Sequence, residues 1–246
     1  MIDPNHPRAT SLRIRDQIVA GVKKGITSTH GLIAQGRGEA FDYLIGEETQ
    51  PFAHKAIEAA SALLLTAKHP VLSVNGNSAA LTPEAYITLS EILNCPIEVN
   101  LFHRTPEREL AIRDHLLSLG ARTVLGVGNN ASETLPTIAS PRKYVSPEGI
   151  AKADVVFVPL EDGDRTEELI KLGKKVITVD LNPLSRTAQQ ATITIVDNLV
   201  RAMPELIKQL NKDKKNIKNL ENRITNYNNK IILQEISNFI AKRFSS

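Results

Sequence analysis

Val155-Val-Phe-Val-Pro-Leu-Glu-Asp-Gly-Asp-Arg-Thr-Glu-Glu-Leu-Ile-Lys-Leu-Gly-Lys-Lys-Val-Ile-Thr-Val-Asp-Leu181 holds one complete strand–loop–helix–strand unit. Residues 155–160 are an apolar run of strand length. A charged loop follows, residues 166–172 carry helical spacing and stop at Gly173, and residues 176–181 turn apolar again. A strand without polar alternation is covered on both faces, and two strands joined by a helix run parallel. The same alternation extends outward. Residues 71–74, 97–102 and 124–127 are strand-like, residues 83–93 and 106–119 are helical with Leu110, Leu116, Leu117 and Leu119 as core candidates, and residues 193–196 form a last short strand. The pattern predicts an α/β fold: a Rossmann-like, doubly wound parallel sheet with helices on both faces.

Both flanks read as helical. Ser11 is placed to cap a helix carrying Ile14, Ile18, Val19 and Val22 and stopping near Gly25. A second helix follows Ser28 and His30, is interrupted at Gly36-Arg37-Gly38 and ends at Gly46; Pro51 opens a third, alanine-rich one that Pro70 closes. Beyond residue 204 the texture becomes Lys- and Asn-rich, and Leu210, Ile217, Leu220, Ile224, Tyr227 and Ile231 fall at heptad-like steps. That spacing predicts a long helix or helical hairpin that packs on the body or on a dimer mate; the other reading is a basic arm for a partner. The expected division is residues 1–204 (extension 1–68, core 69–204) and a tail, 205–246.

Composition narrows the function. The segment from Glu205 onward carries nine Lys/Arg and four Asp/Glu, so the net charge of +3 leaves the first 204 residues slightly acidic. Aromatic residues are 4% and Trp is absent. Neither a basic stripe nor a stacking platform for nucleic acid is expected. A single cysteine, Cys95, excludes an internal disulfide and a cysteine zinc site. No signal-like or membrane-spanning run is found, so a soluble, cytoplasmic protein is expected.

In an open parallel sheet, ligands bind beyond the carboxyl ends of the strands. Five strand ends here carry polar or charged sequence: Asn75-Gly-Asn-Ser78; His103 and Arg104; Glu161, Asp162 and Asp164; Asp180, Asn182, Arg186 and Thr187; and Asp197 with Asn198. Asn75 and Asn77 belong either to a turn or to a phosphate cradle. His103 and Arg104 are an anion site or a surface pair. The acidic run suits Mg²⁺, which takes one or two carboxylates plus phosphate oxygens, or it is a loop whose Asp164 caps a helix. Arg186 offers phosphates a planar pair of donors. Arg37, between two glycines, is either a ligand arginine or a surface residue at a helix break. Gly126-Val-Gly lacks the third glycine of a dinucleotide fingerprint, and no P-loop is present.

Several blocks, in order, resemble the archaeal phosphopantothenate synthetases, or 4-phosphopantoate–β-alanine ligases: residues 25–44, 75–80, 97–104, 153–166, 179–188 and 191–198. The similarity runs from about residue 8 to about residue 204; the tail and residues 129–143 carry no matching residues. The resemblance implies an enzyme that condenses 4-phosphopantoate with β-alanine, using ATP and Mg²⁺, through an acyl-adenylate, giving 4′-phosphopantothenate, AMP and diphosphate in a homodimer. The implied nucleotide contacts are Arg15, Arg37, Asp180, Leu181, Asn182, Arg186, Thr187, Asn198 and Leu199. Strand-end position adds Asn75, Asn77, His103 and Arg104 for the acid substrate and Asp162 and Asp164 for the metal. Arg37, His103, Arg104 and Glu161 are the catalytic candidates, the last two roles being charge stabilisation and, for Glu161 or His103, acceptance of the amine proton. The competing reading is a Rossmann-type nucleotide sensor or adaptor that docks a partner through its tail.

Overall fold

A computed structural model describes residues 3, 6 and 8–244; the outermost residues of the two expected terminal regions lie outside it. Helices α1 (Ala9–Lys23), α2 (Thr29–Ile45) and α3 (Pro51–Thr66) precede strand β1 (Pro70–Val74). Helices α4 (Gly76–Leu81) and α5 (Pro83–Leu93), strand β2 (Ile97–Val99), helix α6 (Pro106–Ser118) and strand β3 (Val124–Leu125) complete one half. A small antiparallel pair, β4 (Glu133–Thr134) and β5 (Tyr144–Val145), follows. The second half is β6 (Val155–Phe157), α7 (Gly163–Lys171), β7 (Lys175–Val179), α8 (Arg186–Gln190) and β8 (Ile193–Ile195). Helices α9 (Leu199–Lys215), α10 (Leu220–Asn226) and α11 (Asn229–Arg243) end the described chain.

The main sheet has six parallel strands in the order β3-β2-β1-β6-β7-β8. The first three strands wind outward to one edge and the last three to the other, so the chain reverses between β1 and β6. That is where a doubly wound sheet opens its ligand crevice. Successive side chains of a strand face opposite ways, and here both faces are apolar. Leu72, Val74, Val155, Phe157, Ile177 and Val179 join the core under α1, α3, α5, α6 and α9. Val71, Val156, Val158 and Val176 join a second core with Leu169 of α7 and with Leu135, Ile138, Val145 and Ile150. Burying a side chain of this size stabilises the fold by about 1.5–3 kcal/mol.

Local expectations meet several corrections. Helix α1 begins before Ser11, which sits in its first turn and bonds the Arg8 carbonyl (3.2 Å) instead of capping. Helix α2 runs unbroken through Gly36 and Gly38: a glycine costs about 1 kcal/mol in a helix, and tertiary anchoring of Asp42 and Glu39 outweighs it. On α6 the inward face is Glu109, Ile112 and Leu116, while Leu110, Leu117 and Leu119 are 39–42% exposed. Helix α7 starts at Gly163, so Asp164 lies within its first turn. The tail is three separate helices. Asn219 takes a left-handed conformation (φ 69°) and the Asn228 side chain caps α11, so asparagines punctuate the heptad pattern. Leu210 and Leu220 are buried, whereas Ile217 and Ile231 are 72% and 63% exposed. The tail does pack on its own body: Ile232, Leu233 and Ile236 join the main core, and α10, with Leu220 buried, lies against α3. Helix α9 runs straight through the expected boundary at residue 204.

Candidate functional site

The carboxyl ends of β1, β2, β6, β7 and β8 open into one cavity of about 580 Å³, roofed by α2. That size suits a small-molecule or cofactor site. Helix α2 is held there by unusual anchors. Its Asp42 accepts from the Asn198 side chain (2.7 Å) at the end of β8 and from Arg201, so the helix turns acidic residues inward. Of the expected site residues, Arg37, Asn75, Asn77, His103, Glu161, Asp162, Asp180, Leu181, Asn182, Arg186, Thr187, Asn198 and Leu199 line the cavity. Arg15, Arg104 and Asp164 do not. Arg15 lies in a groove between α1 and α2, bound to Glu39 through two nitrogens (2.8 and 2.7 Å). Arg104 pairs with the buried Glu109 and reaches the Gly126 and Tyr144 carbonyls (3.4 Å each). Asp164 is exposed on α7.

One end of the cavity is a single run of chain. Asp180 accepts from the Asn182 amide (2.9 Å) and from the Ser185 hydroxyl; burial raises its pKa, against these bonds and the charge of Arg37. Ser185 then caps α8 through the Ala188 amide (2.9 Å). Arg186 pairs with Glu167, and its aliphatic stem passes over Gly163, where a Cβ would stand 2.6 Å from the Arg186 Cβ. Only glycine leaves room for that crossing. Thr187 donates to the Glu161 carbonyl (2.8 Å), tying this end to the loop after β6. Arg37 makes no hydrogen bond or ion pair with another described residue, so its planar donors are available to a ligand.

At the switch point itself the polar groups brace one another. Asn75 caps α4 through the Ser78 amide and donates to the Pro159 and Leu160 carbonyls (2.9 and 3.2 Å), stapling the end of β1 to the end of β6. Leu160 holds a left-handed conformation (φ 55°) there, a strain of about 1–3 kcal/mol that concentrates at functional sites. Glu161, its side chain 1% exposed, lies between the guanidiniums of Arg142 and Arg165. Both of its oxygens are engaged, so it serves as counter-ion for two buried arginines and is not free to accept a substrate proton. That corrects its candidacy as the base.

The far end is assembled from distant segments. Asn77 donates to the Gly31 carbonyl (3.0 Å), joining α4 to α2. His30 and His103 stack with ring centres 4.3 Å apart. Asn100 holds the Arg142 and Tyr144 carbonyls (3.1 Å each), which delivers Arg142 to the cavity wall. His30, Arg108, Arg142 and Arg165 were not singled out from sequence. Arg165 stands inside a conspicuous acidic run, but Arg142 lies in a segment with no periodicity, and Arg108 reads as one more charge on an amphipathic helix.

The comparisons with known proteins agree on one family. The family model described as phosphopantothenate/pantothenate synthetase matches residues 52–243, so it extends well into the tail. A 4-phosphopantoate–β-alanine ligase of Methanosarcina mazei is 54% identical over 95% of this chain and 92% of its own length. Ligases of the same name from Thermococcus kodakarensis and Thermococcus onnurineus are 53% and 54% identical, over 84% and 83% of this chain and 78% of each relative. The chain belongs to the phosphopantothenate/pantothenate synthetase family.

Proposed function

We propose that this protein is an ATP-dependent 4-phosphopantoate–β-alanine ligase of coenzyme A biosynthesis, acting as a cytoplasmic homodimer without nucleic-acid or membrane partners. The observation that carries the reading is a single cavity at the switch point of the sheet, with a locally built polar end beside an arginine-rich one, in a chain about half identical to ligases of that name. The nucleotide takes the end formed by residues 180–199. Arg37 and Arg186 hold its phosphates, and Asp180, Leu181, Asn182, Thr187, Asn198 and Leu199 line its bed.

In the first step a carboxylate oxygen of the acid attacks the α-phosphorus and diphosphate leaves. In the second the β-alanine amine attacks the acyl carbon and AMP leaves with that oxygen. No protein nucleophile is required. The arginines offset the repulsion between two polyanions and the charge that builds at phosphorus. His103 takes the amine proton; burial, His30 and Arg108 hold its pKa below the usual imidazole range, which keeps it unprotonated and able to accept. Asp162 has a buried carboxylate oxygen that makes no hydrogen bond and faces Arg142 Nε at 3.4 Å, a hard oxygen that could take Mg²⁺ only in competition with that arginine. Asp162 would contact that ion, which when bound neutralises phosphate charge, whereas Asp164, exposed on α7 and outside the cavity, would not. The tail does not favour an adaptor role, because Leu220, Ile232, Leu233 and Ile236 are covered by the chain itself. Purified protein should form AMP from ATP only with both 4-phosphopantoate and β-alanine present. AMP formation independent of either substrate, or none with both, would sink the reading.

A further inference from the structure

Helix α2 roofs the cavity with little apolar grip. Its buried residues are Glu39, Asp42 and Ile45, while Leu32, Ile33 and Tyr43 are exposed. A helix is ordinarily fixed by packing an apolar face, so here polar bonds must set the position of the roof. On the outer side Glu39 takes Arg15 and the Tyr43 hydroxyl (2.6 Å). The inward anchor is Asp42.

Arg201, on α9, grips that anchor and a second carboxylate at once. It donates through both terminal nitrogens to Asp42 (3.2 and 2.5 Å), and through Nε and one terminal nitrogen to Asp197 (2.9 and 2.6 Å), just past β8. Asp197 also accepts from the Asn198 backbone amide (2.7 Å) and the Thr49 hydroxyl (2.6 Å), and the Asn198 side chain donates to Asp42 (2.7 Å). Asp42, Asp197 and Asn198 are all buried. Two carboxylates removed from water thus share one guanidinium, and without it their charges would be left uncompensated. The planar fork reaches both together, which the point charge of a lysine does not.

This clamp stands outside the cavity and controls what faces into it. Arg201, Asp42 and Asp197 do not line the cavity, whereas Asn198, Leu199 and Arg37 do. Arg37 lies five positions before Asp42 on the same helix, about 7.5 Å along its axis. Next to it, Gly38 passes against Leu181 just past β7, where a Cβ would stand 3.6 Å from the Leu181 Cδ1.

We infer that Arg201 is a positioning residue for the ligation: by clamping Asp42 of α2 to Asp197 behind β8, it sets Arg37 against the nucleotide phosphates over residues 180–199. The inference deepens the ligase reading above and rests on it, since Arg37 needs a phosphate to hold. A helix moves as a unit, so a shift at Asp42 is carried to Arg37, and a misplacement of about 1 Å costs on the order of a hundredfold in rate.

The test is Arg201→Lys in the wild-type and Arg37→Lys backgrounds, with KM measured for each substrate and the Kd of ATP by calorimetry. Both ATP constants should rise roughly tenfold, with little change in KM for 4-phosphopantoate or β-alanine. When Arg37 is already lysine the further loss should be under about threefold, because residues that act as one unit are not additive. A lower denaturant midpoint with unchanged ATP constants would make the clamp purely structural and overturn the inference. So would a rise shared equally by all three substrates, or the same loss in both backgrounds. Should Arg201→Lys fail to fold, Asp42→Asn carries the test: it keeps an oxygen for the Asn198 side chain and removes the charge that Arg201 grips. The same constants should rise several-fold, and unchanged ones overturn the inference. If the wild-type protein binds ATP but makes no AMP, the ligase reading fails by itself. The Kd of ATP then decides the clamp, a rise that vanishes with Arg37→Lys supporting it and an additive one overturning it. A wild-type protein that binds no ATP overturns it as well.

Discussion

The end of the cavity formed by residues 180–199 and the end walled by Arg108 and Arg142 do comparable work with opposite construction. The first is braced mostly within its own run, Asp180 with Asn182 and Ser185, Ser185 with Ala188, Leu184 with Asn182, and is tied outward through residues such as Arg186, Thr187 and Asn198. The second depends on bonds across long stretches of chain, such as Asn77 to Gly31, Arg108 to Ile26 and Asn100 to Arg142. A locally closed loop can be positioned by its own strand and helix. An assembled wall needs its buried charges balanced before it can be positioned at all. Glu161 is the seam, with its carbonyl accepting from Thr187 on one side and its carboxylate holding Arg142 and Arg165 on the other.

The largest effect is expected at that seam. Glu161→Gln leaves two buried guanidiniums short of a counter-charge and should cost about 3–5 kcal/mol of stability, read from denaturant unfolding. A variant as stable as wild type but without turnover would return Glu161 to a role as base. Next comes Arg37→Lys, which keeps the charge but loses the planar fork. It should lower kcat/KM by roughly ten- to a hundredfold, about 1.4–2.7 kcal/mol, with the fold intact; near-normal kinetics would make Arg37 a surface residue.

A smaller effect separates the two ends through the tail. Asn229 accepts from the Thr194 amide (2.9 Å) and donates to the Ala188 and Ala191 carbonyls (2.8 and 3.1 Å), bracing β8 and α8 from behind. Asn229→Ala leaves buried backbone groups unpaired, each costing about 1–3 kcal/mol. It should raise KM for ATP several-fold while leaving that for the acid unchanged. Equal effects on both substrates would show that the ends are mechanically one. The smallest effect is a pH dependence confined to the assembled end. Glu98 on β2 is buried and holds the Ser146 and Ile150 amides (3.0 and 2.6 Å); burial pushes its pKa up to about 7. The folded state therefore binds its proton more tightly than the unfolded state. This contribution is full below the unfolded pKa and is lost as pH rises through about 7, on the order of 1 kcal/mol or about 2–4 °C in Tm between pH 6 and 8. Glu98→Gln should flatten that slope, and a slope unchanged in the variant would assign it elsewhere.

The same contrast explains what sequence revealed. Residues 180–199 announce themselves because strand, loop, cap and helix are contiguous, and the parallel strands are legible as runs such as residues 155–160. Arg108 and Arg142 are invisible because nothing within several residues of either says that Ile26 or Asn100 will be near. Periodicity misplaced Leu110 and Leu117, which share α6 with the truly buried Ile112 but face solvent. It also joined Leu210 to Ile231 across asparagines whose local bonding ends helices. Arg15 shows a different limit: the resemblance implies a nucleotide contact there, but in this chain Arg15 lies outside the cavity, where Glu39 holds it.

The central claim is that the acid carboxylate attacks the α-phosphorus of ATP at the boundary between the two ends. The direct measurement is the fate of oxygen from 4-phosphopantoate labelled with ¹⁸O in its carboxylate, followed by mass spectrometry of the products. One labelled oxygen should appear in AMP, with unlabelled diphosphate. Label in inorganic phosphate, accompanied by ADP, would place the attack at the γ-phosphorus and contradict the account.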